Sequence, residues 1–220
     1  MLFAAGFGTR MGALTADRPK PLIAVAGRPL IDHALALTAG RGLRIVVNAH
    51  YLAAQITAHL ARHPEITVLT EAPELLDTGG GLKHALAHLG PGPLFTLNTD
   101  AVWTGSNPLA TLAAAWQPER MDALVLLTPR ARAVGHSGKG DFEMDAEGRL
   151  SRGPGLIYTG CQILDPTRLA EIPDRIFSLN RFWDLLIAEG RLFGALHAGG
   201  WCDVGRPESL PLAETLLADV

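Results

Sequence analysis

Apolar runs alternate with amphipathic segments along the first 128 residues. Short runs rich in Val, Ile and Leu predict strands, and apolar positions that recur every three to four residues between them predict helices. The predicted strands are residues 2–5, 43–47, 66–70, 93–98 and 123–128, and the predicted helices are residues 30–39, 52–62, about 79–89 and 107–116. This alternation is typical of a parallel sheet that is covered by helices on both faces.

The pattern changes after residue 128. Three shorter apolar segments, residues 140–145, 148–152 and 156–164, are separated by turn residues and predict a meander. A helix over residues 179–188, a strand over 192–197 and a helix over 208–217 complete the chain. We therefore expect one α/β domain over residues 1–220 with a mixed, mostly parallel sheet.

Composition and charge restrict the possible partners. The chain has 220 residues, 48% of them hydrophobic, which is enough to bury one substantial core. A net charge of −3 argues against nucleic-acid binding, which usually requires a basic face. The N-terminal segment does not show the basic region and long apolar core of a signal peptide, and no apolar run approaches the length needed to span a membrane. Cys161 and Cys202 fit no metal-ligand spacing and indicate reduced thiols. We expect a cytoplasmic protein with no membrane partner.

A glycine-rich turn follows the first predicted strand and carries the most informative motif of the chain. In Gly6-x-Gly8-Thr9-Arg10, the glycines let backbone N–H groups approach phosphate oxygens, and the arginine adds a fork of donors suited to a polyphosphate. Lys20 lies between two prolines, whose rigid backbone would hold its ammonium in one place. Either motif alone is usually structural, but the combination directly after an N-terminal strand predicts a phosphate site.

Two segments that contain an aspartate are further features of the sequence. Asp100 ends the segment Asn98-Thr99-Asp100, directly after a predicted strand, and ligands of open α/β sheets bind at the carboxyl ends of strands. The alternative for an isolated aspartate is a helix or turn cap. Asp203 lies near the end of the chain in Trp201-Cys202-Asp203. Sequence spacing does not show that the two aspartates meet in space.

These motifs together resemble the signature of the sugar-phosphate nucleotidyltransferase family. The resemblance covers nearly the whole chain, and its motifs are Gly6-x-Gly8-Thr9-Arg10-Met11, Leu14-Thr15 and Pro19-Lys20-Pro21-Leu22. It implies a Rossmann-like three-layer sandwich and an enzyme that joins a sugar 1-phosphate to a nucleoside triphosphate, with release of pyrophosphate. One departure is Gly12-Ala13, which stands where the family often has a proline.

The resemblance also implies roles for individual residues. Arg10 and Lys20 would be catalytic, and Asp100 and Asp203 would hold Mg²⁺, which prefers few carboxylates together with phosphate oxygens and water. The implied nucleotide-binding residues are Ala5, Gly6, Gly8, Thr9, Arg10, Lys20 and Gly80. The implied substrate-binding residues are Asn98, Gly140 and Thr159. The nucleotide would bind to the half formed by about residues 1–128, and the sugar to the half formed by about residues 129–220.

Four further motifs resemble one branch of the family, the N-acetylmuramate 1-phosphate uridylyltransferases. They are Asp77-Thr78-Gly79-Gly80-Gly81, Val102-Trp103, Gly140-Asp141-Phe142 and Tyr158-Thr159-Gly160. The branch implies UTP and N-acetylmuramate 1-phosphate as substrates, in the recycling of cell-wall sugars. The glycine run has a second interpretation, a tight turn between a strand and a helix.

Several alternatives stay open at this point. Within the family, the chain could be a mannose 1-phosphate guanylyltransferase or act on another hexose 1-phosphate. A dinucleotide-dependent oxidoreductase would also have a Gly-x-Gly turn, but Met11 stands where its fingerprint needs a third glycine. A non-catalytic protein that binds a sugar nucleotide could lack the two aspartates. Both a monomer and a homodimer are compatible with the sequence.

Overall fold

One mixed sheet with helices on both faces forms the centre of the protein. The computed structural model describes residues 1–219. The strands in this range are β1 (Leu2–Phe3), β2 (Ala24–Val25), β3 (Arg28–Pro29), β4 (Ile45–Ala49), β5 (Ile66–Thr70), β6 (Leu94–Asn98), β7 (Ala101–Trp103), β8 (Ala123–Pro129), β9 (Ala133–Val134), β10 (Phe142–Met144), β11 (Leu150–Arg152), β12 (Leu156–Leu164), β13 (Leu192–Leu196) and β14 (Trp201–Asp203). The α-helices are α1 (Leu30–Thr38), α2 (Ala53–Leu60), α3 (Asp77–Leu89), α4 (Pro108–Ala115), α5 (Leu179–Ala188) and α6 (Ser209–Ala218).

The main sheet combines a parallel part with an antiparallel part. Its principal order is β11-β10-β12-β6-β1-β4-β5, and β8 pairs with both β12 and β13. Strands β6, β1, β4 and β5 are parallel to one another, whereas β12 runs antiparallel to both β6 and β8. The predicted fold class, a mixed and mostly parallel α/β sheet, is confirmed.

Burial on both sides of the sheet explains the three layers. Val46 and Val47 are adjacent in β4, so their side chains point to opposite faces, and both are fully buried. Val46 belongs to the core formed with Leu82 of α3 and Phe182 of α5, whereas Val47 belongs to the core that includes Ile56 of α2. Burying each such side chain stabilises the fold by about 1.5–3 kcal/mol.

Most predicted elements occur within a few residues of their predicted bounds. Strands β5 and β12 and helix α5 have the predicted bounds, and residue 148 closes the predicted turn by donating to Asp145 O. One strand is displaced: the sequence predicts a strand over residues 43–47, whereas β4 is Ile45–Ala49. Leu43 is exposed in the loop before β4, because pairing with β5 begins at Ile45 opposite Ile66. Apolarity alone does not reveal that register.

A small three-stranded sheet in the order β7-β14-β9 is absent from the predicted elements. Its strands have only two or three residues, which is too short to show a period-2 pattern. The sheet matters for the site because β14 ends at Asp203 and β7 follows Asp100. Within residues 1–219, no helix is both long and apolar enough to cross a bilayer.

Candidate active site

A cleft of about 290 Å³ opens at the carboxyl ends of β1, β4 and β6. Eight of the residues predicted for the site line it: Ala5, Gly6, Gly8, Thr9, Arg10, Lys20, Asn98 and Asp100. The position agrees with the rule that open α/β sheets bind ligands beyond the carboxyl ends of their strands. The other predicted residues, Gly80, Gly140, Thr159 and Asp203, are not in the lining.

Local geometry explains why a glycine stands at position 8. Gly8 has a φ of 65°, a left-handed conformation, and a Cβ added to it would lie 3.0 Å from both Lys20 Cβ and Thr15 Cγ2. Residues Thr9–Thr15 then form a 3₁₀ helix with a kink at Gly12, and Thr15 Oγ1 stabilises it by donating to Gly8 O at 3.1 Å. The Tyr51 hydroxyl donates to Thr15 O at 2.7 Å and so fixes this helix to the segment after β4. The loop is therefore held in shape before any ligand binds.

Lys20 and Asp100 form an ion pair inside the cleft. Lys20 Nζ donates to Asp100 Oδ2 at 2.7 Å, and the two side chains are 10% and 32% exposed. Lys20 is the first residue of a 3₁₀ helix, Lys20–Leu22. It lies between Pro19 and Pro21, the two prolines that we expect to restrict its backbone. A cation and an anion are thus both held at the position where phosphates would enter.

The second aspartate lies beside the first, although it does not line the cleft. Strand β14 runs antiparallel to β7, with Asp203 opposite Ala101, and Val204 N donates to Asp100 O at 2.8 Å. Burial and then the negative charge of Asp100 raise the pKa of Asp203, whereas the positive charges of Lys20, Arg10 and His136 act in the opposite direction. The Asp203 carboxyl is therefore close enough to Asp100 and Lys20 for their charges to act on it.

A divalent cation fits this pair of carboxylates. The negative charges of Asp100 and Asp203 repel each other, and a bound cation would reduce this repulsion. Gly205 leaves the space beside Asp203 open, since a Cβ at this position would lie 3.1 Å from both carboxylate oxygens of Asp203. Residues 1–219 contain no cluster of three or more His, Cys, Asp or Glu side chains that could hold a metal ion. An ion here would need oxygens from its substrate, which is the way in which Mg²⁺ usually binds with phosphates.

Three of the predicted contacts are not supported by the positions of the residues. The Thr159 hydroxyl donates to Leu126 O at 2.7 Å, and the residue is 1% exposed, so this hydroxyl already has a partner in the core. Gly140 has a φ of 118° and packs against the carbonyl of Pro154. The amide of Gly80 donates to Phe177 O at 3.0 Å. Backbone packing explains both glycines, and any contact of these residues with substrate stays a prediction.

Sequence reasoning missed several residues of the lining, among them Asn48, Leu75, Asp77 and Thr99. Asn48 is in β4, one residue before its carboxyl end, so the rule that singled out Asp100 could have identified it as well. Asp77 adopts a left-handed φ of 61° at the start of α3, a conformation that the sequence did not reveal. No ligand tests the predicted nucleotide-binding and sugar-binding halves, and this division stays a prediction.

Comparisons with known proteins agree with the geometry. The profile of the family described as "MobA-like NTP transferase domain" matches residues 1–200. The N-acetylmuramate alpha-1-phosphate uridylyltransferase of Caulobacter vibrioides is 43% identical, and the alignment covers 100% of this chain and 96% of the relative. The protein of the same name from Neisseria meningitidis serogroup B is 33% identical and is covered to 96%, with 98% of this chain aligned.

A solved structure supports the fold. The crystal structure of HddC from Yersinia pseudotuberculosis superposes with a TM-score of 0.78, and the superposition covers 98% of this chain and 97% of that protein. Its sequence identity is 21%, so the likeness concerns the fold alone.

Proposed function

Because the chain belongs to the MobA-like NTP transferase domain family, we propose that it transfers a uridylyl group from UTP to N-acetylmuramate alpha-1-phosphate. The chain is a nucleotidyltransferase, and the resemblance that the glycine turn and Lys20 indicated is confirmed. The single observation that carries the choice of substrates is the 43% identity with the Caulobacter vibrioides uridylyltransferase over the full chain. A role in the recycling of cell-wall sugars in the cytoplasm belongs to the same proposal.

The proposed reaction is a displacement at the α-phosphorus of UTP. A phosphate oxygen of the sugar 1-phosphate forms the new P–O bond, the bond to the β-phosphate oxygen breaks, and pyrophosphate leaves with that electron pair. The attacking oxygen already carries negative charge, so no side chain has to remove a proton from it. The task of the protein is to bring two polyanions together and to neutralise their charge.

The residues of the cleft suit this task. Lys20 and Arg10 supply positive charge, and the backbone N–H groups of the glycine turn supply further donors. In the proposed complex Lys20 turns from Asp100 toward a phosphate. We propose Asp100 and Asp203 as the residues that hold Mg²⁺, which would supply further charge neutralisation when bound.

The test is a pyrophosphate-release assay over a matrix of triphosphates and sugar 1-phosphates with Mg²⁺. We expect the highest kcat/KM for the pair UTP and N-acetylmuramate alpha-1-phosphate. A clear preference for GTP with mannose 1-phosphate would instead favour the guanylyltransferase alternative. Binding of a sugar nucleotide without release of pyrophosphate from any pair would indicate a non-catalytic binding protein.

A further inference from the structure

A buried carboxylate just beneath the cleft is not used by the proposed reaction. Glu71 follows β5, is 2% exposed and does not line the cleft. Its Oε1 accepts a hydrogen bond from Asn48 Nδ2 at 2.7 Å, and its Oε2 accepts one from Leu76 N at 2.8 Å. Both donors are neutral. Burial of a carboxylate whose only donors are neutral costs free energy of folding, so the presence of Glu71 at this position calls for an explanation.

The contacts of Asn48 connect this carboxylate to the phosphate loop. Asn48 Oδ1 accepts from Ala4 N at 2.9 Å, and both residues line the cleft. Ala4 lies two residues before Gly6, the first residue of the glycine turn. The hydrogen-bond chain thus runs from Ala4 N through the Asn48 amide and the Glu71 carboxylate to Leu76 N. Since Leu76 is flanked by lining residues Leu75 and Asp77, the chain joins two separate parts of the cleft wall.

The same carboxylate explains the third glycine of the run at the start of α3. A Cβ added at Gly81 would lie 2.6 Å from Glu71 Oε1 and 2.9 Å from Asn48 Nδ2. Contacts this short essentially never occur, so the Glu71–Asn48 pair occupies the space that a side chain at position 81 would need. Gly81 is therefore a glycine because of this pair.

Gly79 and Gly80, the first two glycines of the run, make room for a different segment, residues 175–177. A Cβ at Gly79 would collide with the Phe177 ring, and one at Gly80 with the Arg175 carbonyl. The amides of Gly79 and Gly80 both donate to Phe177 O, at 2.9 and 3.0 Å, while Phe177 N donates to Leu76 O at 3.3 Å. Leu76 is thus held from two sides, through its N–H by Glu71 and through its carbonyl by Phe177.

We propose that Glu71 is a positioning residue for the nucleoside triphosphate. It sets the distance between the root of the phosphate loop at Ala4 and the wall segment around Leu76, so that the loop and this wall meet the nucleotide in one fixed arrangement. This inference rests on the proposed function for its choice of substrate. A preformed site of this kind binds more tightly because less ordering is needed on binding.

The test exploits the direction of the hydrogen bonds. Glu71→Gln replaces one acceptor by an NH₂ group, which then faces either the Asn48 NH₂ or Leu76 N as a second donor. Asn48→Asp places two carboxylates against each other. The double variant restores a complete pattern, because the new amide donates to the new carboxylate and still accepts from Leu76 N, and its net charge equals that of the wild type. The matched control is Glu74→Gln, on the same segment, whose carboxylate is 58% exposed and pairs with Arg175 at 3.2 Å.

The assay is steady-state kinetics with each substrate varied in turn. We expect Glu71→Gln to raise KM for the triphosphate about tenfold, since an unsatisfied buried donor is costly, and to change KM for the sugar 1-phosphate less than about twofold. The double variant is expected to have a KM for the triphosphate at least about threefold lower than Glu71→Gln alone. Glu74→Gln is expected to stay within about twofold of the wild type for both substrates.

Three results would overturn the proposal: a wild-type KM for the triphosphate in Glu71→Gln, an equal rise of both KM values, or a double variant no better than Glu71→Gln. If Glu71→Gln does not fold, Glu71→Asp keeps the charge but is one methylene too short to reach both partners, and the same expectations apply to it. If the wild type releases pyrophosphate from no triphosphate, the proposed function fails. Glu71 is then judged on UTP binding by thermal shift, where equal affinity of wild type and variant overturns the proposal.

Discussion

Replacing Gly81 by alanine tests the close packing beneath the cleft, because two opposing effects make the sign of the result informative. Gly81 lies inside α3 with an ordinary helical backbone. Considered alone, Gly81→Ala should stabilise the helix by about 1 kcal/mol, since glycine is the poorer helix former. The structure places Glu71 Oε1 at 2.6 Å and Asn48 Nδ2 at 2.9 Å from the new Cβ. Both atoms are held by hydrogen bonds and cannot move away freely.

Overpacking of a tight site costs about 1–3 kcal/mol, and two fixed neighbours favour the upper half of that range. The expected net effect of Gly81→Ala is a loss of about 1–2 kcal/mol in the free energy of unfolding. For a chain of this size, this loss lowers Tm by roughly 2–8 °C. Urea unfolding followed by circular dichroism measures the free energy directly.

A double-mutant cycle supplies the control. In a Glu71→Ala background one of the two close contacts is gone, so Gly81→Ala should cost at least about 1 kcal/mol less than in the wild type. If Gly81→Ala alone left Tm unchanged or raised it, the close packing of this glycine against the buried pair would be refuted. A cost that is the same in both backgrounds would show that the carboxylate is not the obstacle.

Four further predictions concern the cleft and its surroundings. Asp100→Asn and Lys20→Ala should each lower the rate of pyrophosphate release about a hundredfold or more with an unchanged circular-dichroism spectrum, because each removes a preorganised charge; wild-type turnover in either variant contradicts its role. Folding raises the pKa of Asp203, so this carboxyl begins to reduce stability as the pH rises above its ordinary pKa, and the loss is complete above the raised value. Asp203→Asn should therefore raise Tm at pH 7 without Mg²⁺ while it abolishes activity; a lowered Tm would speak against the repulsion. Burial lowers the pKa of His197 from 6.5, so stability due to its neutral form is present above pH 6.5 and is lost as the pH falls; urea midpoints from pH 7.5 to 5 should fall less in His197→Phe. Tyr51→Phe removes the hydroxyl that donates to Thr15 O and should raise KM for the triphosphate about threefold to tenfold, since about 1 kcal/mol of loop fixation is lost; an unchanged KM would exclude the anchor.

The parts of the fold that depend on local pattern could be predicted from the sequence. Strand β12 and helix α5 have nine and ten residues, which is long enough for their apolar pattern to define them. The positions of the glycine turn and of Lys20 in the wall of the cleft could be predicted because each of the two motifs lies within a few consecutive residues. The strands of the small sheet could not, since two or three residues form a strand only when their partners are already in place.

The sites that depend on distant partners show the same limit. The sequence gives no sign that Glu71 is buried, because its hydrogen-bond partner Asn48 is 23 residues away. From the sequence, the glycine run at the start of α3 is interpreted as part of the nucleotide site, through Gly80, or as a tight turn. In the structure each glycine makes room for a neighbour, namely Phe177, the Arg175 carbonyl and the Glu71 carboxylate. Small residues often stand where another segment of the chain packs closely. The local sequence around such a residue does not show which segment that is.

The position of β14 has a consequence for biosynthesis. This strand lies in the middle of the small sheet, between β7 and β9, and it also carries the second aspartate. During translation the glycine turn, Lys20 and Asp100 leave the ribosome well before Asp203. A nascent chain therefore holds the proposed polyphosphate-binding groups early but lacks one acidic side chain, and β7 and β9 cannot be joined until β14 has been synthesised. We expect competence for the proposed reaction only after Asp203 has been added, so fragments that end before β14 would not consume triphosphate.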